Sequence, residues 1–157
     1  MLVAIIAGVV IAAALIVVLL LRLSRQPEPA SIPEARAAFE AQRASLEPMF
    51  FTAASTTGKP RGLRWKSCEF GAAFELARDR RSGEILAFVP VTIAFEAIPG
   101  SDMEGLPAVG NLRIGSAVFF HDRGAWHATS RAVFNLTPDQ ALAHFHNEYE
   151  RLEKDEG

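Results

Sequence analysis

The chain begins with an unbroken apolar run, because residues 2–21 carry only Leu, Ile, Val, Ala and Gly side chains. Twenty helical residues at about 1.5 Å each span roughly 30 Å, the hydrocarbon thickness of a bilayer. Fourteen of these residues are Leu, Ile or Val, the side chains that favour insertion near the bilayer centre. The pattern predicts a transmembrane anchor over residues 1–22 and a proline-containing linker over residues 23–30.

Basic residues lie only on the C-terminal side of this run, where Arg22 and Arg25 follow it. A cleaved signal peptide would place its basic residues first and would have a shorter apolar stretch of about 7–15 residues. Basic flanks prefer the cytoplasm. We therefore expect a single-pass membrane protein whose domain is cytoplasmic.

Small residues recur every four positions inside the run, at Ala4, Gly8 and Ala12. This spacing lets two transmembrane helices approach closely, so it predicts a possible homodimer through that helix face. The alternative is that Ala and Gly are simply frequent in such helices.

After the linker, apolar residues at helical spacing follow a capping box formed by Ser31 and Glu34. They predict a helix over about residues 33–47 that ends near Pro48. Alternation of apolar and polar residues then predicts five strands, and a capping box at Thr137 begins a last amphipathic helix that runs to Leu152. The strands cover about residues 63–67, 73–79, 84–96, 117–121 and 125–134, with an aperiodic loop over residues 98–115.

The order α-β-β-β-loop-β-β-α predicts the α+β class for residues 31–157. We expect an antiparallel sheet of about five strands flanked by two helices on the same face. Pro90 falls inside the third strand, which predicts an edge position or a bulge there.

Charge is distributed unevenly along the chain. Residues 22–81 hold eleven basic and seven acidic side chains, whereas residues 82–157 hold five basic and eleven acidic ones. The basic run Lys59, Arg61, Arg64 and Lys66 could contact anionic headgroups, or it could be a solvated strand surface. Because the chain as a whole is acidic, nucleic acid is not an expected partner.

Candidate chemistry is sparse, and no cofactor or metal site is predicted. His121 and His127 flank the second hairpin, and a three-residue loop would place them on one face of the sheet. With Glu96 or Asp122 they would form the site of a small membrane-tethered enzyme, which is the alternative function. Cys68 is the single cysteine, and a nucleophile would need a base and a lowered pKa.

The preferred hypothesis is a membrane-anchored, non-catalytic module that binds a protein partner or a small ligand. Long aperiodic loops in compact domains are often functional, and the loop over residues 98–115 carries several polar side chains. Tryptophans on neighbouring strands could line a pocket beside it. The candidate ligand-binding residues are Asp102, Glu104, Asn111, Arg113, Trp65 and Trp126.

Overall fold

The computed structural model describes residues 31–57 and 61–152 and confirms the α+β class for that part of the chain. It contains one antiparallel sheet of six strands, rather than the five predicted, and two α-helices. In chain order the elements are α1 (Ile32–Thr57), β1 (Leu63–Phe70), β2 (Glu75–Asp79), β3 (Ile85–Ala97), a 3-10 helix (Pro107–Gly110), β4 (Arg113–Asp122), β5 (Ala125–Phe134), α2 (Pro138–His144) and β6 (Tyr149–Leu152).

The predicted anchor over residues 1–22, its small residues Ala4, Gly8 and Ala12, and the linker over residues 23–30 lie outside the described residues. Within the described ranges, neither α-helix combines the length and the apolar character needed to cross a bilayer. The membrane anchor therefore stays a prediction.

The 13-residue strand β3 organises the sheet. Strand β4 pairs along one edge of β3, with Ile85 opposite His121 and Ile93 opposite Arg113. The other edge is shared, because β2 pairs with the first half of β3 and β1 pairs with the second half. Strand β5 extends the sheet beyond β4, and β6 extends it beyond β2.

Pro90 lies in this central strand, at the junction between the β2 and β1 pairings. The Pro90 carbonyl accepts a hydrogen bond from the Gly71 amide (2.8 Å), so the proline ring nitrogen also faces Gly71, at the junction between the two pairings. Pro90 is therefore at neither of the predicted positions, since β3 is central and its register with β4 is unbroken there. The strand tolerates the proline because the Gly71 carbonyl accepts from the Arg43 guanidinium instead. Gly71 is needed there, since a Cβ would lie 2.7 Å from Pro90 Cγ.

Helix α1 continues through Pro48 to Thr57, nine residues beyond the proline where it was predicted to end. Its first turn is held by the predicted capping box, in which Glu34 accepts from the Ser31 amide (3.0 Å) and Ser31 Oγ accepts from the Glu34 amide (3.4 Å). Past Pro48, Phe50 and Ala54 are fully buried. Their burial offsets the hydrogen bond that the proline removes.

The two helices pack on opposite faces of the sheet, which corrects the expectation of a single helical face. Alternate residues of β3 face different helices: Ile85 and Ala87 share a core with α1, whereas Leu86 and Phe88 share one with α2. Helix α1 contacts both β5 and β1, with Phe39 near Trp126 (4.9 Å between ring centroids) and Phe50 near Trp65 (6.4 Å). Because β4 and β3 separate these two strands, the sheet curves around α1.

The last predicted helix is shorter than expected. Its capping box at Thr137 is confirmed, but α2 ends at His144, and a turn at Phe145 leads into β6. Strand β6 pairs with the outer edge of β2, which places Tyr149 opposite Asp79 and buries the tyrosine ring against Phe88. The edge of β2 thus determines the conformation of this segment more strongly than its helical periodicity does.

Candidate functional site

The long connection between β3 and β4 is ordered by a series of turns, each closed by a main-chain hydrogen bond. The Ile98 amide donates to the Gly62 carbonyl (2.9 Å), and Ser101 Oγ donates to the same carbonyl (3.0 Å). Further along, the 3-10 helix Pro107–Gly110 lies against the end of β3. The loop is therefore attached to the beginning of β1 and covers one end of the sheet.

Beneath this loop the sheet carries a group of packed aromatic rings. Trp65 lies 5.4 Å from Phe95 and 6.3 Å from Phe134, measured between ring centroids. Phe95 and Trp65 are buried, but Phe134 is 41% exposed. An exposed phenylalanine beside buried rings leaves apolar surface open to solvent at this end of the domain.

Two of these rings, Phe95 and Phe134, form the base of a cleft of about 250 Å³. Its walls come from the ends of β1, β3 and β5, from the 3-10 helix and from the start of β4. Ile98, Leu106, Leu112 and Ile114, which belong to the loop and the start of β4, are each more than 40% exposed. The residues that line the cleft are Leu63, Phe95, Ala108, Val109, Asn111, Arg113, Phe134 and Asn135.

The cleft has an apolar base and a polar side. Asn111, Arg113 and Asn135 bring two amides and one guanidinium to its wall. Among residues 31–57 and 61–152, no carboxylate forms an ion pair with Arg113. The arrangement can hold an apolar group whose negative end lies near the guanidinium, because arginine is suited to binding carboxylates.

The structure brings together only part of the predicted site. Asn111 and Arg113 line the cleft, and Trp65 lies behind its aromatic base. Glu104 instead caps its own loop by accepting from the Gly100 amide (2.8 Å), and Asp102 is exposed in the same turn. Trp126 is remote, since its indole N–H donates to the Ala35 carbonyl (2.9 Å) at the start of α1.

The predicted placement of His121 and His127 on one face of the second hairpin is wrong. The β4–β5 turn has two residues, Arg123 and Gly124, both with positive φ (49° and 82°), as in a type I′ turn. His121 is therefore opposite Trp126, whereas His127 is opposite Phe120 and stacks on it at 5.0 Å. The two imidazoles lie on opposite faces of the sheet, which removes the observation that motivated the enzyme hypothesis.

No other constellation of metal-ligating side chains occurs in the described part of the chain, where no three His, Cys, Asp or Glu residues converge. Cys68 is half-buried beside α1. Burial, assisted by the nearby Glu47 carboxylate, raises the pKa of the Cys68 thiol to about 12. A thiol with that pKa stays protonated at neutral pH and is a poor nucleophile.

The structure describes three residues of the basic run near β1, and Arg61, Arg64 and Lys66 are all exposed. Arg64 pairs with Glu96 across the sheet at 2.6 Å, and Lys59 lies outside the described residues. Trp65, within the run, is near Phe50 and Phe51, whereas the start of α1 is near Trp126. The run therefore lies towards the C-terminal end of α1, and contact with anionic headgroups stays a prediction.

Sequence reasoning missed the two phenylalanines that give the cleft its apolar base. Phe95 and Phe134 are 39 positions apart. Phe134 is opposite Gly115, which is opposite Val91, and Phe95 lies further along β3 on the same face, so the rings come together only through the strand pairings. A signal was present at the end of β5, where an aromatic residue directly precedes the turn at Asn135 (φ 62°).

Comparison with known proteins adds no relative. The sequence matches no protein-family model, no curated protein matches it significantly, and no solved structure matches the fold significantly.

Proposed function

We propose that this protein is a membrane-anchored, non-catalytic binding module whose cleft beneath the β3–β4 loop receives an apolar group with a carboxylate at one end. The observation that carries the proposal is the cleft itself, in which the half-exposed Phe134 lies beside Arg113, a cation without a carboxylate partner in the described residues. Concave apolar sites with a few polar groups are the usual form of a binding site.

The size of the cleft narrows the kind of group it would hold. Sites for whole drug-sized ligands run to about 300–1,000 Å³, and this cleft is smaller, at about 250 Å³. It is suited to one ring or a short acyl chain. The exposed Leu106, Leu112 and Ile114 would add apolar contacts outside the cleft.

The position of the cleft agrees with a domain held at a membrane by its N-terminus. The chain enters the domain at Ser31, beside the β4–β5 hairpin, as the hydrogen bond from Trp126 to the Ala35 carbonyl indicates. The cleft lies towards the opposite end of α1, in front of Trp65, whose ring is near Phe50 and Phe51. If residues 1–22 anchor the chain, this arrangement favours a cleft that opens away from the bilayer.

Fluorine NMR of the full chain in a nonionic detergent, labelled with 5-fluorotryptophan, tests the binding site directly. The chain has two tryptophans, and only Trp65 adjoins the aromatic base of the cleft. Titration with 4-phenylbutyrate should shift the Trp65 resonance in a saturable way and leave the Trp126 resonance in place. Equal shifts of both resonances, or none, would refute the proposed site.

Two variants separate cleft binding from loose association with the loop. Ala108 is an exposed residue of the cleft wall, so Ala108→Phe should fill the cleft and abolish the Trp65 shift. Asp102→Phe places the same side chain elsewhere in the loop and should bind as the unmodified protein does. Retained binding in Ala108→Phe would show that the probe occupies another surface.

The proposed cytoplasmic location is tested separately with reporters fused after Gly157. A fluorescent protein that folds only in the cytoplasm should be bright, and a phosphatase that is active only outside it should be silent. The reverse pattern would contradict the orientation and leave the cleft proposal to be judged by the titration alone.

A further inference from the structure

A second groove runs between α1 and β1, on the side of the helix away from β5. Its volume is about 430 Å³. Helix α1 contributes Ala44, Glu47, Pro48 and Phe51 to its walls, and β1 contributes Lys66, Ser67, Cys68 and Phe70. None of these residues lines the cleft beneath the β3–β4 loop.

One wall of this groove is the outer edge of a β-strand. Within residues 31–57 and 61–152, β1 pairs with β3 and with no other strand. The Gly71 amide donates towards β3, to the Pro90 carbonyl. Because main-chain groups alternate in direction along a strand, the N–H and C=O groups of Cys68 and Phe70 face away from β3 and into the groove.

The other wall also offers a hydrogen-bond acceptor. Proline has no N–H, so Pro48 leaves the carbonyl of Ala44, four residues earlier, without its usual helical donor. Both residues line the groove. On the opposite side of α1 the comparable space is closed, since the Gln42 side chain accepts from the Trp126 amide at the edge of β5 (3.2 Å).

The ends and charges of the groove are defined as well. Arg43 closes the end near Gly71 by donating to the Gly71 and Ala72 carbonyls, and it also pairs with Glu47 (2.6 Å). Lys66 has no carboxylate partner in the described part of the chain. The groove therefore presents two outward-facing residues of a strand edge, an apolar wall at Pro48 and Phe51, and one available cation.

We propose that an extended segment of a partner polypeptide binds in this groove as an added strand. Its main chain pairs with Cys68 and Phe70, one apolar side chain packs on Pro48 and Phe51, and an adjacent acidic side chain faces Lys66. Strand addition of this kind takes its affinity from main-chain hydrogen bonds and its specificity from side-chain pockets.

A second copy of this chain is not the occupant that the geometry favours. The register of β1 shifts between Trp65 and Ser67, so a bulge interrupts the edge at Lys66. Pairing with an identical edge would bring a second bulge and a second lysine to the same interface, and both disfavour edge-to-edge pairing. Helix α1 also borders the groove, so a second copy that paired through its own β1 would bring its own α1 to the same strand edge.

Selection from a phage-displayed library of random linear 12-residue peptides, against the full chain in nonionic detergent, tests the proposal. Enriched peptides should carry an apolar residue beside an acidic one. Hydrogen–deuterium exchange should then show slower exchange at the Cys68 and Phe70 amides when a selected peptide is bound. Failure to enrich peptides, or protection confined to other regions, would overturn the proposal.

Surface variants locate the contact without disturbing the core. Ala44 is exposed within the groove, whereas Ser45 is exposed and does not line it. Ala44→Trp should weaken peptide binding at least tenfold, and Ser45→Trp should leave it within twofold. Lys66→Glu should weaken binding of acidic peptides in low salt. Strand addition by a partner would be contradicted if the two tryptophan variants weakened peptide binding equally. It would also be contradicted if the chain dimerised without peptide and the dimer slowed exchange at the Cys68 and Phe70 amides.

Discussion

Phe39 is the side chain whose removal should test the packing of α1 most severely. It is fully buried, and its ring lies 4.7 Å from Phe74, 5.4 Å from Phe119 and 4.9 Å from Trp126, measured between centroids. Truncating a buried phenylalanine to alanine costs about 3–5 kcal/mol. Aromatic pairs contribute about 0.5–1.5 kcal/mol each beyond burial, so we expect Phe39→Ala to lie near the upper limit, at about 4–5 kcal/mol.

Equilibrium unfolding in urea, followed by tryptophan fluorescence, measures this loss because Trp126 contacts the substituted ring. Met49, on the same helix, is 57% exposed, so Met49→Ala should change the free energy of unfolding by less than about 0.5 kcal/mol. If Phe39→Ala costs less than about 1 kcal/mol, or if both variants cost the same, α1 is not the packed core helix described above.

Three further predictions concern the backbone, a histidine and the cysteine. Gly71→Ala should lower the free energy of unfolding in urea by about 1–3 kcal/mol, because the added Cβ would lie 2.7 Å from Pro90 Cγ. The control is Gly110→Ala, whose added Cβ meets open space, so its free energy of unfolding should be nearly unchanged. Burial lowers the pKa of His121, and the nearby Asp122 carboxylate partly opposes this shift. Because the unfolded state then binds a proton more readily than the folded state, the free energy of unfolding should fall as pH drops below about 6.5. Removing the imidazole in His121→Gln should reduce that slope, and an unchanged slope would contradict the assignment. Burial raises the pKa of Cys68 to about 12, so its thiolate fraction at pH 8 is very small, and the greater nucleophilicity of a more basic thiolate offsets this only in part. Iodoacetamide at pH 8, followed by mass spectrometry, should therefore alkylate Cys68 about 30-fold more slowly than glutathione. A rate equal to that of glutathione would contradict the burial.

Local signals in the sequence were sufficient for several elements of the fold. The capping boxes at Ser31 and Thr137 depend on residues three apart, and both occur as predicted. The class and the second hairpin follow from periodicity in the same way. Their physical basis is short-range, so a single sequence is enough to identify them.

The errors arise where distant pairing decides the outcome. Tyr149 and Leu152 continue the apolar stripe of α2, yet they form β6 because the edge of β2 is available. A hairpin turn one residue shorter than expected places His121 and His127 on opposite faces, since side chains alternate along each strand. The lack of periodicity indicates that the loop is a candidate site, but it is the pairing of distant strands that brings Phe95 and Phe134 beside it.

The most direct test of the proposed function compares the dissociation constants of 4-phenylbutyrate and its uncharged analogue 4-phenylbutanol. Both probes carry the ring that suits the cleft, and they differ in the charge that Arg113 would contact. Because Arg113 is exposed, its contribution should be modest, about 1 kcal/mol, so the acid should bind about fivefold more tightly than the alcohol. The account predicts that Arg113→Gln removes this preference and leaves the affinity for the alcohol unchanged. A preference for the acid that persists in Arg113→Gln, or an alcohol that binds as tightly as the acid to the unmodified protein, would contradict it.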